Sequence, residues 1–405
     1  MPVVWYAEPN YEDVLLGRGA HGGAAVRRRV LELQWLMGLQ AGPGDWVVCE
    51  RPPETGVLCE LLQGVQYRTA AQASRDLRSM SGIQRAEWQL EPWAWSASAL
   101  RFGQEAGLVM PRISADVVRR MNSRRSWPGG ELLGCSGAGP QLQLPVTVCD
   151  STAEVESAVA ELTGMDVTRW LLKAEFGHSG RNQIRGSGGE LKPQERGWLE
   201  KLWAISCCVV VEPVLPRTVE CGLQWQLTES NGGFEQKFLG AIGLLSGRTG
   251  NYCGSLLGDW CGGNSWWRQA VEFQRQVVRE LGMQGLRGLL GGDCMLTVWQ
   301  GNAVVRPLQD LNARSTMGQI ARSLQTFLKS GESAVWWHYS GNCDRERIRL
   351  IAREQTGVTV RETGPCAEDS GSGSCLLIAQ ECSQLAGIVT NLLGDGSGFE
   401  AGQLD

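Results

Sequence analysis

The chain has 405 residues, 42% hydrophobic and 20% charged, with a formal net charge of −5 at pH 7. That is globular composition, long enough for two or three domains around real cores. Scattered basic residues exclude a nucleic-acid footprint, and no apolar run approaches the ~20 residues of a membrane helix.

The N-terminal MPVVWYAEPNYED lacks the basic region and apolar core of a signal peptide. Fourteen cysteines are spread without Cys-x-x-Cys pairs, and Cys207 and Cys208 are adjacent in an apolar run. Reduced, buried thiols in a cytoplasm are expected. Zinc is not, because His21, His178 and His338 lie far apart. The expected partners are small molecules, with neither nucleic acid nor membrane; nothing in the sequence speaks to oligomeric state.

Residues 1–115 read as an α/β unit: a strand at Val3–Tyr6, a helix near 23–38 and a strand at Asp45–Cys49. Gly17-Arg-Gly19-Ala-His-Gly22 matches G-x-G-x-x-G, but a dinucleotide fingerprint needs a strand directly before it, and the preceding run is short and acidic. Arg27-Arg28-Arg29 reads as a solvated helix face. The Pro-broken aromatic run Trp88–Trp95 reads as a loop packed on the core, with a substrate pocket as the alternative. A helix at Ala115–Met121 leads into Asn122-Ser-Arg124-Arg125, and 128–140 is a Gly/Pro-rich loop. A strand at Pro145–Cys149, a helix at Ala153–Thr163 and a strand at Arg169–Ala174 follow.

The chain contains five lysines (Lys173, Lys192, Lys201, Lys237, Lys329), so one inside an apolar strand carries weight. Lys173 leads into Ala-Glu-Phe-Gly177-His-Ser179-Gly180-Arg181. A strand lysine with a Gly-rich turn suits phosphate: the lysine is a point charge, and glycine lets backbone N–H groups approach the oxyanions. A hairpin with a snorkelling lysine is the alternative; the Walker A ending is absent. A polar helix (Pro193–Ile205) precedes a buried strand (Cys207–Val211) closed by Glu212-Pro-Val214-Leu215. Gly222–Leu227, a turn at Asn231-Gly-Gly and Lys237–Ile242 form an antiparallel pair, and Trp266–Leu281 is a helix.

Two β-prone runs, Gly292–Trp299 and Ala303–Val305, flank Gly301-Asn302, where glycine supplies the positive φ of a two-residue turn. With that turn, opposed residues sum to 603, so Gln300 faces Ala303 and Asp293 faces Asp310. Opposed Cβ atoms lie ~4.5–5.5 Å apart, and two carboxylates so close repel unless positive charge lies between them. Asn312 shares the face of Asp310, and Arg314 projects from the same face. Two carboxylates and an amide oxygen form a hard ligand set suited to Mg²⁺ with phosphate oxygens completing the shell. A surface hairpin with a hydrated Asp pair is the alternative.

These features stand in order: a basic residue at 124, Lys173 with its glycines, the Glu212-Pro segment, then Asp293 with Asp310-Leu-Asn312-Ala-Arg314 and a helix at Gly318–Leu328. Together, over roughly residues 115–330, they resemble an ATP-grasp domain. Trp88–Trp95 with Ser96 and Ser98 is similar to a Glu-Pro-Trp segment of some bacterial relatives, and Gly250-Asn-Tyr252-Cys-Gly254 to another of their segments.

The resemblance implies an α/β fold with α+β lobes: a preceding α/β domain (1–115), ATP-grasp lobes at 116–205 and 206–330, and a small C-terminal α/β extension (331–405). It implies that Arg124, in place of the usual lysine and with Arg125 as competitor, reaches an ATP phosphate together with Lys173. Gly177, Ser179 and Gly180 would form a mobile lid. Glu212, Val214 and Leu215 would meet the adenine, and Glu220 the ribose. Asp293, Asp310 and Asn312 would hold the Mg²⁺ or Mn²⁺ of the nucleotide, with Asp310 where the family has Glu.

The implied activity is ATP-dependent and ADP-forming. A carboxylate is activated as an acyl-phosphate, an amine or thiol displaces phosphate, and Arg314 serves as the catalytic residue at the tetrahedral oxyanion. Two other functions stay open: a degenerate ATP-grasp protein that binds nucleotide without turnover, and a dinucleotide-dependent oxidoreductase built on Gly17–Gly22. The tail reads as a strand (Ala334–Tyr339), a helix (Arg345–Glu354), a Gly/Ser linker at 370–374, a further strand and helix, and a polar end at 394–405.

Overall fold

The computed structural model of the chain describes residues 1–17, 24–54, 59–62, 64–126, 145–177, 180–230, 232–247, 250–258, 260, 266–299, 301–340, 342–364 and 372–393. Strands β1 (Val3–Tyr6), β2 (Trp46–Val48), β3 (Gln66–Arg68) and β4 (Gln89–Pro92) form a parallel sheet in the order β3-β2-β1-β4. Parallel neighbours need crossovers, and the helices at Ala24–Leu36 and Ala70–Ser79 supply them. A capping box between Thr69 and Gln72 starts the second helix. The 88–95 run, expected as a loop, contains β4, which pairs residue by residue with β1. Pro92 is tolerated because β4 is an edge strand, where a missing N–H breaks no ladder.

The second sheet is antiparallel: β5 (Thr147–Cys149), β6 (Arg169–Ala174), β7 (Gln183–Ser187) and β8 (Val209–Pro213), in the order β5-β8-β6-β7. β8 pairs with β5 and β6, so residues 209–213, beyond the lobe boundary expected between 205 and 206, belong to this sheet.

The third sheet holds β9 (Val219–Ser230), β10 (Gly233–Ser246), β11 (Tyr252–Leu257), β12 (Gly288–Trp299), β13 (Asn302–Asn312), β14 (Ser333–Ser340), β15 (Thr359–Glu362) and β16 (Ser372–Ala379). Its order is β13-β12-β9-β10-β11-β14-β16-β15. The expected C-terminal extension therefore continues this sheet, through β14 on β11.

Two apolar clusters result. One joins the first and third sheets, from Val4 and Leu90 to Trp225, Leu290 and Leu376. The other lies inside the second sheet and its helices, around Val155, Trp170, Leu199 and Val209. Among the described residues no helix is long and apolar enough to cross a membrane. Cys49, Cys149, Cys207, Cys208, Cys221, Cys294 and Cys375 are buried.

Candidate functional site

The β12–β13 hairpin sets the site. Trp299 lies opposite Asn302 and Met295 opposite Arg306, so the register near the turn is two residues off the expected one, and Gln300, expected opposite Ala303, is outside the described residues. A bulge between Asp293 and Met295 then shifts the register back, and Asp293 comes to lie opposite Asp310 as expected. Gln274, on the helix Trp267–Met283, stitches the bulge: Nε2 donates to the Pro307 carbonyl at 2.9 Å while Oε1 accepts the Trp225 indole N–H at 3.2 Å. Gly292 makes room for it, since a Cβ there would collide with the Gln274 amide.

Asp310 meets a cation from the other lobe. Arg124 Nη2 lies 2.5 Å from Asp310 Oδ2, and Nε donates to Oδ1 at 3.3 Å. The same guanidinium donates to the carbonyls of Ala174 (2.8 Å) and Gly177 (3.2 Å). Arg125, the competitor, pairs with Asp150 at 2.5 Å on the surface. Asn312 Oδ1 accepts from Arg314 Nη2 at 2.9 Å. Arg314 Nε is bound by Glu12, and its guanidinium lies 5.7 Å over the Trp93 ring.

Lys173 Nζ sits 2.8 Å from Glu212 Oε1 and 3.4 Å from the Gln309 carbonyl oxygen, which accepts from it. Arg306 Nη2 holds the other Glu212 oxygen at 2.7 Å. Burial pushes the Glu212 carboxyl up, but the Arg306 and Lys173 charges outweigh it and hold the group at about 2. Burial, then the Asp310 and Glu220 carboxylates, push Asp293 up to about 7.

These side chains open onto a cleft of about 1080 Å³. Lys173, Glu220, Asp293, Asp310, Asn312, Arg124 and Arg314 line it together. Gly180 also lines it, with φ +72° and its backbone packed against the Gly250 carbonyl; Ser179 lies outside the described residues. Gly177 contributes a carbonyl to Arg124 from behind the wall.

Glu212, Val214 and Leu215, expected on the adenine, lie outside the cleft wall. The Glu212 carboxylate is consumed by Lys173 and Arg306, the Val214 N–H donates to the Arg169 carbonyl at 2.9 Å, and Leu215 is buried. Glu212 is thus the counter-ion that positions Lys173. Glu220 accepts from Gln309 Nε2 at 3.2 Å and faces Arg217 at 3.5 Å.

Trp93, from the run for which a substrate pocket was the alternative, and Arg181, at the end of the Gly-rich turn, also line it; Arg217 and Gln224, with Trp337 and His338 on β14 and Arg347 on the helix Asn342–Glu354, were not anticipated. The tail carried no motif that would have marked them. Gln224 was detectable as an amide on the inward face of an alternating strand. Gly17, the first glycine of the G-x-G-x-x-G run, follows a helix (Tyr11–Leu15), not a strand, and the remainder lies outside the described residues. The strand requirement of a dinucleotide site is unmet.

As arranged, the expected metal donors do not fit a divalent ion bridging both carboxylates. Asp310 is taken by Arg124 and by the Leu311 N–H at 3.1 Å, and the Asn312 oxygen by Arg314. Among the described residues no group of three or more His, Cys, Asp or Glu is placed to hold a metal.

No family model and no curated protein matches the chain. Among solved structures it is similar to N5-carboxyaminoimidazole synthetase from Staphylococcus aureus complexed with ADP, at TM-score 0.57 and 12% identity, covering 97% of each chain. Carboxyaminoimidazole ribonucleotide synthase from Aspergillus clavatus complexed with ATP is similar at TM-score 0.54 and 10% identity, over 97% of this chain and 98% of that one. The biotin carboxylase domain of Hydrogenobacter thermophilus 2-oxoglutarate carboxylase, in complex with MgADP, ADP and bicarbonate, is similar at TM-score 0.51 and 11% identity, over 96% and 89%. These neighbours are ATP-grasp enzymes. With its lysine-bearing second sheet facing the acid-bearing third across one cleft, the chain has the ATP-grasp fold.

Proposed function

We propose that the chain is an ATP-dependent ligase that activates a small carboxylate as an acyl-phosphate for attack by an amine or thiol, forming ADP. The observation that carries this is the convergence, in one cleft between the lobes, of Lys173, Glu220 and Arg314 with the Asp293–Asp310 pair. Lys173, immobilised by Glu212, presents an ammonium to the phosphates. Gly180 and Arg181 stand beside it, where lid residues exclude water from a reactive acyl-phosphate. Arg314 is held by Glu12, Asn312 and its own neighbour's carbonyl, leaving two N–H groups for a developing oxyanion. No side-chain nucleophile is required. The ATP, ADP and MgADP complexes of the structural neighbours support nucleotide as the ligand.

The engagement of Asp310 and Asn312 by arginines favours a second reading, nucleotide binding without turnover. ADP release from ATP, assayed against a panel of amino acids, amines and thiols, separates the two. Substrate-dependent ADP release establishes the ligase. Tight ATP binding with no release under any pairing establishes the binding protein.

A further inference from the structure

Asp310 is the carboxylate that the ATP-grasp resemblance assigns to a metal ion, and Arg124 the cation it assigns to a phosphate; here they hold each other. The guanidinium is fixed at Asp310 Oδ1 and Oδ2 and at the Ala174 and Gly177 carbonyls, and is 6% exposed. Four of its five N–H groups are used, so its position is set by the protein. The neighbouring charges are matched as well. Lys173 and Arg306 pair with Glu212, Arg217 with Glu220 and Arg314 with Glu12. Among the described residues that leaves Asp293 as the cleft-lining carboxylate of this group in no direct ion pair. A divalent-cation site is built on surplus negative charge, and none is left here: the five cations Arg124, Lys173, Arg217, Arg306 and Arg314 balance the five carboxylates of Glu12, Glu212, Glu220, Asp293 and Asp310.

We infer that Arg124, clamped on Asp310, supplies as a side chain the positive charge of a metal ion bridging the two carboxylates, so that the cleft takes a nucleoside triphosphate with little dependence on a divalent cation. Arginine at 124 and aspartate at 310 thereby become one feature. A planar fork spans a carboxylate and two carbonyls at once, which an ammonium does not. The inference rests on the proposal that the cleft binds ATP.

Isothermal titration of the full chain with AMP-PNP, in EDTA and in excess Mg²⁺, tests it. The two dissociation constants are expected to agree within about tenfold. Binding that weakens by more than this in EDTA overturns the inference and leaves the nucleotide proposal standing; no binding in either condition overturns both. Arg124→Lys, checked for folding by its melting curve, releases a carboxylate oxygen and should raise the Mg²⁺ dependence above about tenfold. An unchanged ratio in a folded variant counts against the inference. Mn²⁺ titration of the wild-type complex, followed by EPR, needs no variant. No ion beyond the one the nucleotide carries is expected, and a second bound ion overturns the assignment.

Discussion

Asp310→Asn leaves the Arg124 guanidinium, whose side chain is 7% exposed, facing a neutral amide. Removing one partner of a buried pair costs about 3–5 kcal/mol. The Asp310 side chain is 21% exposed, so screening reduces this to about 1–3 kcal/mol. Asp310→Asn is expected to lower the denaturation midpoint of the ligand-free protein. Repulsion between two opposed carboxylates, taken alone, gives the opposite sign, and a raised midpoint would show that repulsion wins over the ion pair. Asp293 supplies a pH test. Its carboxyl keeps a proton up to about 7 in the folded chain, while an unfolded Asp releases it near ~3.9. Between those values the native state binds the extra proton, so stability falls as pH rises and levels off above about 7. Asp293→Asn should make that slope shallower, leaving the share of Glu91, which burial also pushes up to about 7, and be more stable than wild type above neutrality. Parallel pH profiles of the two proteins would place the raised carboxyl elsewhere.

At the scale of elements, the β12–β13 bulge decides whether the two aspartates meet at all. Without it, the register at the turn end of the hairpin would carry Asp293 two residues past Asp310. Gln274→Leu removes the hydrogen bond to the half-buried Pro307 carbonyl and leaves the buried Trp225 indole unpaired, at about 1–3 kcal/mol for the latter. The variant should be destabilised and lose nucleotide affinity together. Full affinity in a destabilised variant would show that the bulge does not set the site. The Asp293–Asp310 opposition was legible in the sequence although the register near the turn was two residues off, because the error and the bulge cancelled. Lys173 on its strand was legible because an isolated lysine in an apolar run is conspicuous. The partners of Glu212 were not legible: an acid closing a strand shows no sign of the Arg306 that holds it, since the two are 94 positions apart. The part that β14 plays in the cleft was missed for the same reason, being fixed by pairing with a distant strand.

Across the whole molecule, the second sheet closes on its own apolar cluster while the first and third share one. The seam between the lobes includes the polar contacts Arg124–Asp310, Arg306–Glu212 and Lys173 on the Gln309 carbonyl. Such a division predicts two cooperative units. Hydrogen exchange of the amides in β6 and β8 should report an opening free energy distinct from that of β9 and β12, and AMP-PNP should draw the two together. One common opening energy in the free protein would contradict the division. The shared cluster also orders events on the ribosome. Val4 and Leu90 leave the exit tunnel long before Trp225 and Leu290, against whose cluster they pack, whereas the residues of the second cluster from Cys149 to Val211 emerge close together. The middle of the chain can complete its core during synthesis, while the N-terminal sheet waits, its inner face incompletely covered, for strands that are made last.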